Sequence, residues 1–154
     1  MSSDQVTVER VIPAPPEEIF DLLCRPEQHR EFDGSGTVQK ARRSGRRVGL
    51  GDSFGMDMRW GVPYSTRNVV REYEEGRRIA WQTLAPAPLD KLFTGRTWRY
   101  ELEPVDGGTL VRETWDVSTE APLSRGIIRS RLSDLTRKNM ERTLERIEQA
   151  VTAA

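Results

Sequence analysis

Two periodicities divide the chain. β-Branched residues crowd the run from Val6 to Ile12, which stops at Pro13-Ala14-Pro15-Pro16, and this predicts a strand followed by a break. The period then changes. Pro15 or Pro16 suits a first helical turn, Glu17 and Glu18 suit its positive end, and Ile19, Phe20, Leu22 and Leu23 form one apolar face. Pro26 ends this helix and opens a second over Glu27 to Phe32, with a turn at Asp33-Gly34-Ser35-Gly36. From Thr37 to Thr119 the period returns to two. Turn signals recur at Ser44 to Gly49, Gly61-Val62-Pro63, Glu74-Glu75-Gly76, Ala85 to Gly95 and Asp106-Gly107, so the segment reads as six consecutive antiparallel strands rather than βαβ units. Asp-Gly is the strongest of these signals and points to a type I′ hairpin turn.

From about Leu123 to Val151 the pattern is that of one long helix. Ile128, Leu132, Leu135, Met140, Ile147 and Val151 fall on an apolar face, with Arg and Glu residues opposite, so that face is expected against the sheet. The expected architecture is α+β: a seven-stranded curved antiparallel sheet around a long C-terminal helix, with two short helices between the first and second strands.

Alternation assigns the inner face of each strand. Phe54, Met56, Met58 and Trp60 share one face. Later strands contribute Ile79, Trp81 and Thr83, then Trp98, Tyr100 and Leu102, then Val111, Glu113, Trp115 and Val117. A two-residue loop at Asp106-Gly107 pairs Leu102 with Val111, Tyr100 with Glu113 and Trp98 with Trp115, in agreement with the alternation. The same parity places Arg96 inside, and the helix adds Thr136, Asn139 and Thr143.

Four Trp with Met and Tyr are enough to fill a core. A sheet bent around one helix nevertheless encloses more volume than one row of side chains fills, and Glu113, Arg96 and Asn139 are costly in a dry interior. A cavity with a few polar groups resolves both points. Its expected ligand-binding residues are Met56, Met58, Trp60, Trp81, Arg96, Trp98, Tyr100, Glu113, Trp115, Asn139 and Thr143. A structural Glu113–Arg96 ion pair is the competing reading.

Hairpin order sends Gly61-Val62-Pro63, Ala85 to Gly95, Phe32 to Gly36 and the helix start to one end. Val62, Pro86, Pro88, Leu89, Leu92, Phe93, Leu123 and Ile127 make that end apolar, as at a binding mouth or a dimer interface. The segment Pro86 to Phe93, with Leu89, Leu92 and Phe93, is expected to form a lid. Asp33 and His29 are placed near the rim, His29 as a surface residue.

The 24 Lys+Arg balance the 24 Asp+Glu, so no overall field favours nucleic acid or an anionic membrane. No run of apolar residues is long enough to cross a membrane, and Met1 to Gln5 show no leader pattern, so a cytoplasmic protein is expected. Cys24 has no cysteine partner and sits on the apolar side of a helix, where it acts as a small hydrophobe.

Val8 to Pro16 with Glu17-Glu18-Ile19-Phe20-Asp21-Leu22-Leu23 resembles the opening of the polyketide cyclase/dehydrase and lipid transport family, in the START/Bet v 1-like (SRPBCC) superfamily. Arg77-Arg78-Ile79-Ala80-Trp81, Trp98-Arg99-Tyr100-Glu101-Leu102-Glu103-Pro104 and Gly107-Gly108-Thr109-Leu110-Val111 resemble its later strands. The likeness spans nearly the whole chain. It implies a single helix-grip domain with a hydrophobic cavity for lipids, polyketides or similar metabolites.

Three functions are compatible with these features. A binding or transport module for an apolar small molecule needs only the cavity, its polar groups and a lid. A cyclase/aromatase-like enzyme, without metal or cofactor, would use Glu113 as base, Tyr100 and Arg96 to polarise an oxygen, or His29. An interaction module for protein or RNA would use Arg42, Arg43, Arg46 and Arg47, whose more ordinary meaning is a solvated hairpin tip. Balanced charge makes nucleic acid unexpected as a partner, membrane insertion is not expected, and the protein is read as a monomer or homodimer.

Overall fold

The structure, a computed structural model, describes residues 5–25, 29, 38–41, 47–60, 62–84, 95–118, 120 and 122–152, with side chains described except at 38–41, 57–60, 62–65, 122–124 and 127–132. In chain order the elements are β1 (Gln5–Ile12), α1 (Pro16–Leu23), β2 (Val38–Ala41), β3 (Ser53–Trp60), β4 (Val62–Glu74), β5 (Arg78–Leu84), β6 (Arg96–Val105), β7 (Gly108–Asp116) and α2 (Pro122–Thr152). Seven strands make one antiparallel sheet in the order β1-β7-β6-β5-β4-β3-β2. Successive hairpins carry the chain from β2 to β7, and β1 returns beside β7. With α2 against the inner face, this is the helix-grip arrangement the pattern implies.

Helix α1 follows the sequence logic directly. Pro16 opens it, Glu17 and Glu18 occupy its first turn, and Ile19, Phe20, Leu22 and Leu23 are all buried. Cys24 closes it, donating its backbone N–H to Phe20 O, and is fully buried. Of the second predicted helix, Glu27 to Phe32, only His29 is described, and it is helical.

The β6–β7 register is the predicted one: Leu102 faces Val111, Tyr100 faces Glu113 and Trp98 faces Trp115. The turn type is not. Gly107 has φ +87° while no described non-glycine residue has positive φ, so Asp106 lacks the left-handed conformation that type I′ demands. Register survives because loop length decides which residues pair, whichever turn closes the loop. The next residue, Gly108, is fixed by a neighbour: a Cβ there would stand 2.1 Å from Ile12 O, where β1 ends against the start of β7.

A bulge between Val70 and Glu72 shifts the β4–β5 register, so Val70 pairs with Trp81 before it and Tyr73 with Ile79 after it. Both apolar residues thus keep to the inner face and Glu72 goes to the outer one. On α2, Met140, Thr143, Leu144 and Ile147 are buried. Leu135, predicted on this face, is 50% exposed. It lies five residues from Met140, about 140° around a 3.6-residue helix, which takes it off the stripe that Leu144 helps to fill. Arg10 Nε, 3.2 Å from Glu148 Oε1, ties β1 to the C-terminal half of the helix.

Candidate functional site

Three rows of side chains cross the inner face of β5, β6 and β7. Ile79, Tyr100 and Glu113 form the first, Trp81, Trp98 and Trp115 the second, and Thr83 with Arg96 the third, each row set by strand register. Successive rows are about 7 Å apart, the rise of two strand residues.

In the first row Tyr100 Oη donates a 2.7 Å hydrogen bond to Glu113 Oε1, and Glu113 is only 1% exposed. A carboxyl group taken this far from water needs hydrogen-bond donors, and Tyr100 supplies one. Trp81 lies against Tyr100, their ring centroids 5.5 Å apart. In the second row the Trp98 and Trp115 rings are 6.4 Å apart. Trp115 is buried, and its Nε1 has no acceptor among the described residues.

Burial declines from row to row. Ile79, Tyr100 and Glu113 are sealed, Trp98 is half-buried between two buried tryptophans, and Thr83 and Arg96 are half-buried in the third row. Helix α2 shows the same trend: Ile147, Leu144 and Met140 are buried, whereas Asn139 and Thr136 are only partly so. Exposure on the inner face thus rises toward the end at which β6 begins.

His29 is not a surface residue. It is 5% exposed, stacks on Trp81 at 4.9 Å and 20°, and meets Phe54 edge-on at 5.4 Å. Its Nε2 is 2.9 Å from Leu23 O, and since a carbonyl only accepts, Nε2 carries a proton there. The short, mostly charged segment around it, Glu27 to Phe32, gives no apolar periodicity from which this inward turn could be read.

Arg96 does not pair with Glu113. Its Nη1 is 3.8 Å from Glu120 Oε1, and Glu120, which the sequence pattern does not single out, has a side chain only 1% exposed. The turn after β7 places it: Glu120 N–H donates to Val117 O, which folds residue 120 back under the end of the strand. Asn68, also unpredicted, is buried on β4, where it accepts a 2.7 Å bond from Thr83 Oγ1 and donates to Phe54 O. A polar residue alternating with Val70 and Thr66 gave the only available signal.

The remaining expected residues are placed as follows. Met56 is buried on β3, and Thr143 is buried on α2, its hydroxyl donating to Asn139 O at 2.9 Å. Met58 and Trp60 occupy β3 register positions opposite Tyr64 and Val62, but their side chains lie outside the described ones. Leu89, Leu92, Phe93 and the whole Pro86 to Phe93 lid, together with Asp33, lie outside the described residues. So do Arg42, Arg43 and Arg46. Arg47 is bound to Asp21 and Glu75, both at 3.1 Å.

Among the described residues no three His, Cys, Asp or Glu side chains gather as a metal-binding group, and no helix is long and apolar enough to cross a membrane. What the inner face offers is an aromatic wall with a buried carboxyl–phenol pair beneath it and an ion pair at its open end.

Residues 3–152 match the family described as polyketide cyclase / dehydrase and lipid transport. The chain belongs to that family. Across 118 residues it is 30% identical to an uncharacterized protein of Mycobacterium tuberculosis, a match that covers 75% of this chain and 49% of that protein. The chain thus spans about half the length of the curated relatives it matches. Among solved structures, a Chromobacterium violaceum protein aligns with a TM-score of 0.73 at 13% identity, covering 98% of this chain and 99% of that one. The di-domain ARO/CYC StfQ from the steffimycin biosynthetic pathway aligns equally well, with a TM-score of 0.73 at 16% identity, covering 96% of this chain and 50% of that one. At such identities the likeness to solved structures establishes the shared helix-grip fold of this polyketide cyclase/dehydrase and lipid transport family member.

Proposed function

We propose that the chain works as one domain that takes an apolar small molecule, of the lipid or polyketide kind, between its sheet and α2. The observation that carries this reading is the exposure of Trp98 on the inner face, beside the sealed Trp81 and Trp115. An aromatic side chain turned toward the core but left partly wet gains roughly 25 cal/mol for each Å² of apolar surface that a ligand covers. In this reading the ligand enters from the end of Arg96 and Asn139, rests on Trp98, Trp115 and Trp81, and reaches the Tyr100–Glu113 pair.

Native mass spectrometry of freshly purified protein tests the reading. A fraction of the protein carrying an extractable apolar molecule of fixed mass, lost in a Trp98→Ala variant that still folds, supports it. Uniformly ligand-free protein that also fails to take up apolar aromatics from solution contradicts it.

A cyclase-like reaction is the second reading, and the Tyr100–Glu113 hydrogen bond favours it. A carboxylate in this position can take a proton from a carbon acid while the phenol polarises the adjacent oxygen. Glu113→Gln separates the two functions: catalysis requires turnover to disappear while ligand affinity persists, whereas a carrier has no turnover to lose.

A further inference from the structure

The open end of the inner face holds two buried polar atoms that the described protein leaves without hydrogen bonds. Trp115 Nε1 is a donor with no acceptor, and Glu120 Oε2 is an acceptor with no donor, both among the described residues. Trp115 is 1% exposed and the Glu120 side chain is equally closed. Leaving such atoms unpaired in a dry site is costly, and native structures seldom do so without a purpose. Both residues belong to the segment that ends β7: Glu120 N–H donates to the carbonyl of Val117, two residues after Trp115.

Charge narrows what can satisfy them. Arg96, the partly exposed cation of this end, already faces Glu120 Oε1 at 3.8 Å. Arg125 Nη2 donates to the carbonyls of Ser118 and Glu120. One inward position beyond Trp115 stands a second carboxyl, Glu113. Arg96 is thus already met by a carboxylate and Arg125 by two carbonyls, and a carboxylate ligand brought here would face Glu120 as well as Arg96. A hydroxyl suits the site better, since it accepts from an indole N–H and donates to a carboxylate oxygen.

We infer that Trp115 and Glu120 form a hydroxyl-recognition subsite, and that the ligand is an uncharged apolar molecule bearing an alcohol or phenol group rather than a free acid. The inference rests on the binding reading proposed above and specifies the polar end of its ligand. Arg96 then serves to hold the Glu120 carboxylate in place.

Isothermal titration calorimetry with three probes of one ring system, methylnaphthalene, naphthol and naphthoate, tests it at neutral pH. Naphthol is expected to bind at least about tenfold more tightly than either of the others, the size expected when two buried groups gain partners. In Glu120→Gln, naphthoate should recover toward naphthol, because the opposing charge is gone and the volume is kept. In Trp115→Phe, checked by its circular dichroism melt, naphthol should lose more affinity than methylnaphthalene, so that the gap between the two probes narrows.

Naphthoate binding as tightly as naphthol to the unaltered protein overturns the subsite assignment, as does equal binding of naphthol and methylnaphthalene. In both cases the binding reading stands. Failure of all three probes to bind overturns both.

Discussion

Tyr100 donates a 2.7 Å hydrogen bond to Glu113 across two paired strands, and the backbone register of β6 and β7 is what holds the two side chains together. The two-residue connection at Asp106-Gly107 sets that register. A one-residue slip would carry Glu113 to the opposite face, so turn, strand pairing and buried polar pair stand or fall together.

Removing the phenol hydroxyl should therefore be felt in stability. Tyr100→Phe leaves Glu113 Oε1 without this donor at a site closed to water, and a loss of about 1–3 kcal/mol is expected in urea denaturation. A double-mutant cycle with Glu113→Gln isolates the pair. A coupling energy indistinguishable from zero would contradict the direct interaction.

Gly108→Ala should be among the most damaging single-methyl additions in the chain. The added Cβ meets Ile12 O at 2.1 Å, and φ is +151° at this position. Since both obstacles are backbone, neither can move aside cheaply, and a cost of at least about 2 kcal/mol is expected from strain of this kind. Gly107→Ala meets nothing within 4 Å and carries only the penalty of its positive φ, so it should cost less. The ranking of the two thermal midpoints checks the point.

How much of this was legible beforehand depended on whether a residue belongs to a periodic element. The inward rows Trp81, Trp98, Trp115 and Tyr100, Glu113 were readable because period two and an Asp-Gly turn constrain them independently. The turn type is not, because the Asp-Gly pair does not tell whether both residues or Gly107 alone take positive φ, and among the two only Gly107 does. Leu135 departs from its expected place because the helical stripe against the sheet runs through Leu144, half a turn away from it. His29 and Glu120 belong to connections between elements, where direction is set by tertiary packing. Arg96 was correctly turned inward, but its partner came from outside the strands and was therefore missed.

Acid should weaken the protein through its outer face. Arg99 hydrogen-bonds Glu72 and lies 3.7 Å from Asp116, and its hydrogen bond holds the Glu72 carboxyl below its usual range. Burial pushes Asp116 up, but hydrogen bonds from Ser118 and Gln5 and the Arg99 charge outweigh it, so its value is lowered too. A carboxyl whose value is lower folded than unfolded contributes stability that is complete above the unfolded value and is lost as pH falls through the folded one. Stability should thus decline as pH drops below about 4. In Arg99→Gln that decline should be shallower, since less of the lowering remains to be lost. An identical acid limb in urea titrations would contradict this.

Cys24 should be chemically silent in the folded protein. Burial pushes its thiol up to about 11 against the opposing pull of Arg47, and the residue is fully enclosed. Since the thiolate is the reactive form, a disulfide-exchange reagent near pH 8 should label Cys24 only after denaturation. Stoichiometric labelling of native protein within seconds would show that the segment after α1 opens.

The central claim is that a ligand seats on the inner aromatic rows, and fluorine NMR of protein carrying fluorotryptophan tests it most directly, with signals assigned by single Trp→Phe variants. On titration with naphthol, the Trp98 and Trp115 resonances should shift together and saturate at one equivalent. Bound naphthol that leaves both of these resonances unmoved would place the ligand elsewhere and contradict the account.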